Sequence, residues 1–395
     1  MISFDEAVEL VRETALPLGT ESVPIDAAAG RVLASPVVAR IELPRSDVSA
    51  MDGYAVRDSD LNDLPARLRI AGESFAGGGW DGILGASECA RIFTGAPVPA
   101  EADRVIIQEN VRREADLAII EEPPGKARHI RNRGSDFEKG EELVSRGRLL
   151  DPRAIIAAAA ADLPEVEVYI RPTMCILSTG DELAEPGAAA GSNDAVPESV
   201  SFGVAALASR WGAEFLGRTR LRDDLDAMRE VAAKAVYDAH LVVVTGGASV
   251  GEKDFAKAMF DSTGLELIFS KVSIKPGKPV WLGRAGDALV MGLPGNPTSA
   301  FVTARLLLAP LIAGLTGRDI DEALRWKPAR LVASLNECGP RETFHRARWS
   351  GNDVEVLEFQ DSSAQKALAE ADVIIRQRAN SPTLLSGSEV KVLGL

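Results

Sequence analysis

Cysteine is scarce in this chain: Cys89, Cys175 and Cys338 are the only three among 395 residues. They lie far apart and form no C-x-x-C pair, which argues against a disulfide framework and against the common zinc sites. The first residues also lack a basic segment followed by an apolar run, so no signal peptide is predicted. Both absences lead us to expect a protein of the reducing cytoplasm.

Positive charge is in deficit, because 44 Lys and Arg stand against 58 Asp and Glu, a net charge of −14. A phosphate backbone requires a basic face, so this balance argues against a nucleic-acid partner. We interpret the most apolar stretch, 154–161, as a short, Ala-rich buried helix, and we expect no membrane partner.

Three widespread ligand motifs are absent: the P-loop G-x-x-x-x-G-K-[ST], the zinc motif H-E-x-x-H and the Rossmann G-x-G-x-x-G. ATPase, zinc protease and dehydrogenase functions therefore lack their signatures. Aromatic residues make up only 5% of the chain, so its cores must rely on Ala, Val, Leu and Ile. A chain of 395 residues is expected to form about two to four domains.

Hydrophobic periodicity predicts the order of helices and strands. Phe4, Ala7, Val8 and Val11 recur at helical spacing behind a Ser3–Glu6 capping box, which predicts an opening amphipathic helix. Short β-prone runs among Gly and Pro residues predict a β-rich module at about 48–130. The chain then returns to a helix at 153–161.

From about residue 172 the pattern alternates between strands and helices, which predicts a parallel sheet covered by helices on both faces. Ligands of such sheets bind beyond the carboxyl ends of the strands. The predicted strands are 174–177, 214–218 and 241–245, and the predicted helices are 199–211 and 224–239. A β-rich part follows residue 327, with strands at 330–335, 346–349, 354–359 and 390–393 and one helix at 363–370.

A glycine-rich turn follows the apolar strand at 241–245. Gly246 and Gly247 allow close backbone approach to a ligand, and Ser249 with Glu252 forms an S-x-x-E capping box whose helix N-terminus favours an anion. A tight turn without a ligand is the alternative. The G-x-S-x-G pattern at 247–251 also matches the nucleophile elbow of serine hydrolases, although only His345 follows it, within the C-terminal β-rich part.

Lysines are concentrated at 271–278. An extended strand places Lys271, Ser273 and Lys275 on one face, and the Pro-Gly turn after them brings Lys278 close. Three neighbouring ammonium groups repel one another unless an anion holds them together, so we predict an anion site here. A solvated basic strand is the alternative.

The loop at 292–297 and several carboxylates complete the candidate site. Pro294 and Pro297 fix the loop, and Thr298 or Ser299 is expected to cap the helix after it. Acidic residues stand at strand ends and helix starts, where they suit Mg²⁺ held between carboxylate and phosphate oxygens, although each alone is often a helix cap. They are Asp181, Glu182, Asp223, Asp224 and Asp254.

Seven segments together resemble the signature blocks of the molybdopterin molybdenumtransferase family, whose animal counterpart is the C-terminal domain of gephyrin. The likeness runs in order along nearly the whole chain. The blocks are SAMDGYA at 49–55, TGAP at 94–97, GSD at 134–136, STGDEL at 178–183, TGGASVG at 245–251, KPGKP at 275–279 and GLPGNP at 292–297.

The resemblance implies a multidomain α/β plus β fold in four parts. These are an N-terminal helical and extended domain at 1–47 and 131–171, a β-rich insert at 48–130, a central molybdopterin-binding α/β domain with a parallel sheet at 172–327, and a small C-terminal β-barrel at 328–395. It also implies a homodimer with a shared active-site cleft, and transient contact with the molybdopterin adenylyltransferase and molybdoenzyme maturation proteins.

The implied reaction is the insertion of molybdate into adenylylated molybdopterin with release of AMP, assisted by Mg²⁺. By motif, the resemblance assigns catalytic roles to Asp52, Thr94, Asp136, Glu182, Asp223, Lys271 and Lys275. It assigns substrate contacts to Thr245, Gly246, Gly247, Ser249, Lys278, Pro294, Pro297, Arg346 and Ser362. The metal ligands would be Asp181, Glu182 and Asp254.

Some positions depart from the family pattern. Val200 stands where the family has Asn at the start of a helix, Gln365 replaces an apolar residue, and 336–366 fits loosely. These departures bear on Arg346 and Ser362. Two other functions therefore stay open: a related adenylyltransferase or nucleotide-cleaving enzyme on the same α/β domain, and a pterin-binding scaffold without turnover.

Overall fold

The computed structural model describes residues 1–246 and 255–395, and most of the elements in its first 170 residues are short strands joined by loops. Their elements are α1 (Phe4–Thr14), β1 (Thr20–Pro24), β2 (Val37–Val38), β3 (Val48–Ser49), β4 (Gly53–Val56), β5 (Ala66–Ser74), β6 (Glu88–Ile92), β7 (Arg104–Ile107), β8 (Arg112–Glu114), β9 (Leu117–Ile120), β10 (Ile130–Arg131), β11 (Glu142–Val144), α2 (Pro152–Ala160) and β12 (Glu165–Tyr169).

Helix α1 begins as the sequence predicts. The Ser3 hydroxyl accepts the Glu6 N–H, while the Glu6 carboxylate accepts the Ser3 N–H at 2.7 Å, so both halves of the capping box are present. The buried face of α1 packs in the core of the α/β part, where Phe4 meets Phe344 edge-on with ring centroids 5.0 Å apart. The first helix is therefore tied to later parts of the chain.

The β-rich module forms a six-stranded sheet in the order β7-β4-β6-β5-β9-β8, in which only the β5–β6 pair is parallel. Beside it, β1 pairs with β12 and β2 with β11, and α2 packs over these ribbons. Of the stretch 154–161, only Ala154, Ala158 and Ala161 are buried, and Ile156 is 70% exposed. This stretch is therefore amphipathic, contrary to the prediction of a buried helix.

The α/β part follows. Its elements are β13 (Thr173–Thr179), β14 (Leu183–Ala184), β15 (Val196–Pro197), α3 (Val200–Arg210), β16 (Glu214–Leu221), α4 (Leu225–Asp238), β17 (Leu241–Thr245), α5 (Phe255–Ala258), β18 (Glu266–Ser270), β19 (Ile274–Lys275), β20 (Trp281–Ala285), β21 (Ala288–Leu293), α6 (Pro297–Thr303), a π-helical segment (Ala304–Leu308), α7 (Ala309–Leu315) and α8 (Ile320–Ala323).

Its sheet has the order β16-β13-β17-β21-β20-β18. The first four strands are parallel, as predicted, and β20 pairs antiparallel with both β21 and β18, so the sheet is mixed. Strand β17 is buried on both faces: Leu241 and Val243 enter one core with α3, and Val242 and Val244 enter the other with α4. Helices therefore cover both faces, which explains the unbroken apolar run of this strand.

The continuous helical stretch Pro297–Leu315 is long and apolar enough to cross a membrane, but 94% of its most apolar window is buried inside the protein. It is longer than the stretch at 154–161 and forms the centre of the largest core. Its N-cap is Asn296, and Thr298 and Ser299 are buried within its first turn, so the prediction that one of these two caps the helix is wrong.

The C-terminal part contains β22 (Lys327–Arg330), β23 (Glu342–Ser350), β24 (Asp353–Val356), α9 (Gln365–Ala369), β25 (Val373–Gln377) and β26 (Glu389–Gly394). The strand order is β19-β23-β25-β26-β22, with β24 on β23. An isolated bridge between Leu331 and Val354 joins the two ends of this set. The predicted strand at 330–335 is wrong for most of its length, and β25 has no counterpart in the prediction.

Candidate active site

A cavity of about 710 Å³, here called the α/β cavity, lies at the carboxyl ends of three central strands. Thr179 ends β13, Thr245 ends β17, and Pro294 directly follows β21, and all three line the cavity. This is the edge at which parallel sheets bind ligands, because the loops that leave adjacent strands diverge there. The fold therefore places the cavity where the sequence predicts a site.

Gly246 fixes the turn at the floor of this cavity. Its φ of +90° lies in the left-handed region, and a Cβ there would stand 2.4 Å from the carbonyl oxygen of Thr179. A Cβ on Gly295 would lie 3.3 Å from the Gly246 Cα, so the two loops run against each other. Thr245 is 3% exposed, and its hydroxyl donates to the Ser178 hydroxyl at 3.1 Å. Its side chain thus bonds within the sheet.

Two of the predicted carboxylates, Glu182 and Asp223, line the α/β cavity. Asp181 lies beside them, since its Oδ1 accepts the Asp223 N–H at 3.2 Å. Asp224, in contrast, caps helix α4 by accepting the N–H groups of Asp226 and Ala227. Within residues 1–246 and 255–395, no group of three or more His, Cys, Asp or Glu side chains is arranged to hold a metal ion.

The structure adds Glu198, Ser199 and Asn296 to this lining. Glu198 is 2% exposed, accepts the Ser201 N–H at 2.9 Å and lies 3.6 Å from Arg218. The Ser199 hydroxyl is buried and has no hydrogen-bond partner in the described part of the chain. The E-S-V-S run at the start of α3 is the signal that could have revealed Glu198, since a carboxylate three residues before Ser suits the first turn of a helix.

Ser362 does not itself line the cavity but lies beside Asn296 and Ser363, which do, and its hydroxyl accepts a hydrogen bond from the Asn296 side-chain amide at 2.8 Å. Arg346 lies behind it and is 2% exposed. Its guanidinium donates to the carbonyl oxygens of Phe359, Asp361 and Ala364 at 2.9–3.1 Å, and burial lowers its pKa. The described geometry thus uses Arg346 to hold the chain around Ser362.

Contrary to the prediction, the lysine segment 271–278 is not one extended strand. Lys271 has a φ of +78°, which interrupts the extended backbone between β18 and β19, and Lys275 pairs with Thr343 of the C-terminal sheet. Lys275 lines a separate cavity of about 550 Å³ together with His345. Burial, and secondarily the charge of Lys275, lowers the pKa of His345. Across the turn, the Val272 N–H donates to the Lys278 carbonyl at 3.1 Å.

All three lysines remain exposed, and none forms an ion pair within the part of the chain that the structure describes. Pro279, directly after Lys278, lines the α/β cavity, whereas Lys271, Lys275 and Lys278 do not. Pro279 thus brings the end of the segment to the rim of this cavity, while Lys275 lines a separate cavity and the three ammonium groups do not share one strand face.

Asp52, Thr94 and Asp136 lie on what we call the N-terminal motif surface, formed by segments 43–52, 93–98 and 129–137. The Thr94 N–H and hydroxyl donate to one Asp52 oxygen at 2.7 and 2.8 Å, which lowers the pKa of Asp52. Backbone hydrogen bonds from Gly95 to Ser49 and from Asp136 to Leu43 join the segments. No residue before Thr179 is among the described residues that line the α/β cavity.

Three predicted site residues, Gly247, Ser249 and Asp254, lie outside the described residues, as do the capping box and the whole G-x-S-x-G pattern. The histidine that a hydrolase would need, His345, has its Nε2 2.8 Å from the side-chain oxygen of Gln377 in the C-terminal sheet. The three cysteines are free, and burial raises the pKa of Cys89 to about 12 and that of Cys175 to about 11.

Three family descriptions match successive parts of the chain. Residues 2–161 match the MoeA N-terminal region (domain I and II), residues 175–314 match a probable molybdopterin binding domain, and residues 328–395 match the MoeA C-terminal region (domain IV). The α/β cavity lies mainly in the second of these regions, and Ser363 and Gln365 of the third contribute to its wall.

Whole-chain relatives agree with these matches. A molybdopterin molybdenumtransferase of Haemophilus influenzae is 33% identical over 99% of this chain and 98% of its own length. Another, of Nostoc sp., is 32% identical over 95% of this chain and 89% of its own length. Two crystal structures of the Pyrococcus horikoshii MoeA protein are 29% and 25% identical, with TM-scores of 0.83 and 0.86 and at least 98% of both chains covered.

Proposed function

Because this chain belongs to the molybdopterin molybdenumtransferase family, we propose that it inserts molybdate into adenylylated molybdopterin and releases AMP, with its α/β cavity as the substrate site. The observation that carries the proposal is the position of that cavity at the carboxyl ends of β13, β17 and β21. Its volume of about 710 Å³ is within the usual range for a cofactor-sized ligand.

Different groups of this chain would bind different parts of the substrate. The Gly246 turn lets backbone N–H groups approach a phosphate, and Pro294 and Pro297 shape the wall against which the pterin would lie. Lys271, Lys275 and Lys278 would bind molybdate or phosphate oxygens at the rim, since an exposed ammonium group without a carboxylate partner is available to an oxyanion. Asn296 and Ser362 would orient the substrate by hydrogen bonds.

A divalent cation, which we expect to be Mg²⁺, would bind here only together with phosphate oxygens of the substrate, because the described carboxylates do not form a complete metal site by themselves. Glu182 and Asp223 line the cavity and Asp181 is adjacent, and carboxylate oxygens are the donors that Mg²⁺ prefers. When bound there, the cation would offset negative charge on the phosphoanhydride. Asp254 would be a further ligand by the family motif.

We further propose a homodimer in which the partner's N-terminal motif surface completes the cleft. The support is that Asp52 and Thr94 are held together on a surface that does not line the α/β cavity of its own chain. A second copy is the simplest source of the missing wall, because a closed twofold pair supplies the same surface to both cavities. Cytoplasmic location and contacts with neighbouring biosynthesis proteins stay predictions.

The direct test is incubation of the purified chain with adenylylated molybdopterin, molybdate and Mg²⁺. The expected result is molybdate-dependent release of AMP with molybdenum recovered on the pterin, lost on chelation and restored by Mg²⁺. AMP released equally without molybdate would favour the nucleotide-cleaving alternative. Tight substrate binding without any AMP would favour the scaffold.

Mixing inactive variants tests the shared cleft. Asp52→Ala and Glu182→Ala chains, each inactive alone, should regain up to about a quarter of the activity when exchanged into mixed dimers, because one of the two clefts is then intact in half of the dimers. No recovery from mixed dimers verified by mass spectrometry would contradict the shared cleft, as would an active monomer in sedimentation.

A further inference from the structure

A second cavity, here called the junction cavity, lies where the N-terminal part of the chain meets the α/β part. It has a volume of about 380 Å³ and shares no lining residue with the α/β cavity. One wall is formed by segments 30–32 and 169–171, and the other by 209–213 and 316–318. Two separately packed parts of the chain therefore build it together.

Four arginines line the junction cavity: Arg31, Arg171, Arg210 and Arg318. Among the described residues, its lining contains no carboxylate. In a chain with a net charge of −14, such a concentration of positive charge is unexpected. Like charges this close repel one another in a partly buried site, so the cluster is costly unless an anion compensates it.

Nearby carboxylates and carbonyls compensate this charge only in part. Arg31 pairs with Glu21 and donates to the Tyr169 carbonyl at 2.8 Å, Arg318 pairs with Glu322 at 3.1 Å, and Arg210 donates to the Leu395 carbonyl at 3.2 Å. Arg171 has no hydrogen bond or ion pair with the described residues, and the carboxylates of Glu214 and Glu21 act on it only at longer range.

The nitrogen atoms give a second, independent observation. The Nε atoms of Arg31, Arg171 and Arg318 are all buried without a hydrogen-bond acceptor among residues 1–246 and 255–395, and Arg31 as a whole is only 9% exposed. Burial, and secondarily the charge of Arg31, lowers the pKa of Arg171. Buried donors without acceptors are rare in folded proteins and call for a partner.

The walls of the junction cavity are closely packed, so its shape is fixed by the surrounding structure. A Cβ on Gly317 would stand 2.2 Å from the Tyr169 ring, and one on Gly212 would stand 3.1 Å from the Thr316 methyl group. The Tyr169 hydroxyl accepts from Arg146 at 2.7 Å, which fixes that ring. Close packing on both walls holds the arginines in place, so an anion would meet a preformed site.

We propose that the junction cavity binds a compact phosphate-type oxyanion, such as pyrophosphate, and so links the N-terminal part to the α/β part. The planar guanidinium fork matches two oxygens of a phosphate, which explains a cluster of arginines rather than lysines. Recognition of a nucleobase is disfavoured, because the Trp211 ring already has Arg318 and Arg305 at 4.5 and 5.6 Å from its centroid.

The test follows the phenylglyoxal modification of individual arginines by peptide mass spectrometry, at constant ionic strength set with sodium chloride. Pyrophosphate and AMP are compared as separate additions. We expect pyrophosphate to slow modification of Arg171, Arg210 and Arg318 at least fivefold, while the exposed Arg284 in β20 reacts at an unchanged rate. Stronger protection by AMP would identify a nucleotide as the source of the phosphate. No protection beyond that of chloride would overturn the proposal.

A variant locates the effect within the cluster. Arg171→Gln should raise the pyrophosphate concentration for half-maximal protection of Arg210 and Arg318 at least tenfold, and Arg171→Lys, which keeps the charge but loses the fork, should lie between. Arg284→Gln is the matched control and should leave that concentration within twofold of the wild type. Circular dichroism and the unfolding temperature without anion confirm folding. Unchanged protection in a folded Arg171→Gln chain would refute the assignment.

Discussion

Replacement of Arg346 by methionine separates a structural role from a ligand contact. The guanidinium donates to three carbonyl oxygens, of Phe359, Asp361 and Ala364, and to the Thr298 hydroxyl at 3.3 Å. Methionine fills a similar space but leaves these acceptors without donors. Hydrogen bonds to charged groups contribute about 1.5–3 kcal/mol each, and removal of a buried charge offsets part of that, so we expect a net loss of about 3–5 kcal/mol.

The loss of stability in Arg346→Met should be confined to the segment that Arg346 holds, and amide hydrogen exchange can measure it there. Two amides report it: Thr298 N–H donates to the Ser362 carbonyl at 3.2 Å, and Leu368 N–H donates to the Ala364 carbonyl at 3.1 Å. A loss of about 3–5 kcal/mol corresponds to exchange roughly 10²- to 10³-fold faster or more, at 1.4 kcal/mol per tenfold. Molybdate-dependent AMP release should fall with it, because Arg346 no longer holds the segment that carries the wall residues Ser363 and Gln365.

Arg348→Met on the same strand is the matched control, since Arg348 is half-exposed and forms a surface ion pair with Glu355. It should leave both amides and the activity nearly unchanged. Loss of activity in Arg346→Met with exchange within threefold of the wild type would refute the structural role. That outcome would return Arg346 to the anion contact that the family resemblance implies.

Two further changes test other parts of the fold. A Cβ at Gly292 would stand 1.9 Å from the Nε1 of the fully buried Trp281, so Gly292→Ala should lower the free energy of unfolding by about 1–3 kcal/mol, measured by thermal unfolding. Gly339→Ala is the control, because nothing lies within 4 Å of its Cβ, and it should leave the stability unchanged. Equal unfolding temperatures for the two variants would contradict the packing. Asp151 caps α2, and its hydrogen bonds with Arg153 and Ala154 lower its pKa from 3.8 to about 2. Because the pKa is depressed in the folded state, the ionised Asp151 stabilises the fold above pH 3.8, and this stabilisation is lost as the pH falls through about 2. Asp151→Ala should therefore differ from the wild type in unfolding midpoint at pH 6 and converge with it at low pH. A constant difference down to pH 2 would exclude the Asp151 carboxylate as the source of the stabilisation.

Local patterns predicted the elements whose causes are local. The Ser3–Glu6 box predicted the start of α1, and the apolar run at 241–245 predicted a strand buried on both faces, because capping and burial depend on a few adjacent residues. The carboxyl-end rule then placed Glu182, Asp223, Gly246 and Pro294 at one edge.

Features that depend on distant partners were not predictable in this way. The alternation at 271–275 indicated one strand, but pairing of Lys275 with Thr343 in another sheet decides its conformation. The anion contact of Arg346 stays a prediction, and the pattern around it did not indicate that three carbonyls from a loop more than ten residues away accept its hydrogen bonds. The junction arginines, at 31, 171, 210 and 318, have no common spacing that a sequence pattern could reveal.

The most direct test of the central claim compares molybdate-dependent AMP release by Glu182→Gln, Asp223→Asn and Glu230→Gln chains. Glu182 and Asp223 line the α/β cavity, whereas Glu230 is an exposed carboxylate on α4 that does not. We predict that the first two variants lose at least 100-fold in rate, about 2.7 kcal/mol of transition-state stabilisation, and that Glu230→Gln keeps the wild-type rate. Full activity in both cavity variants would contradict the assignment of the reaction to this site.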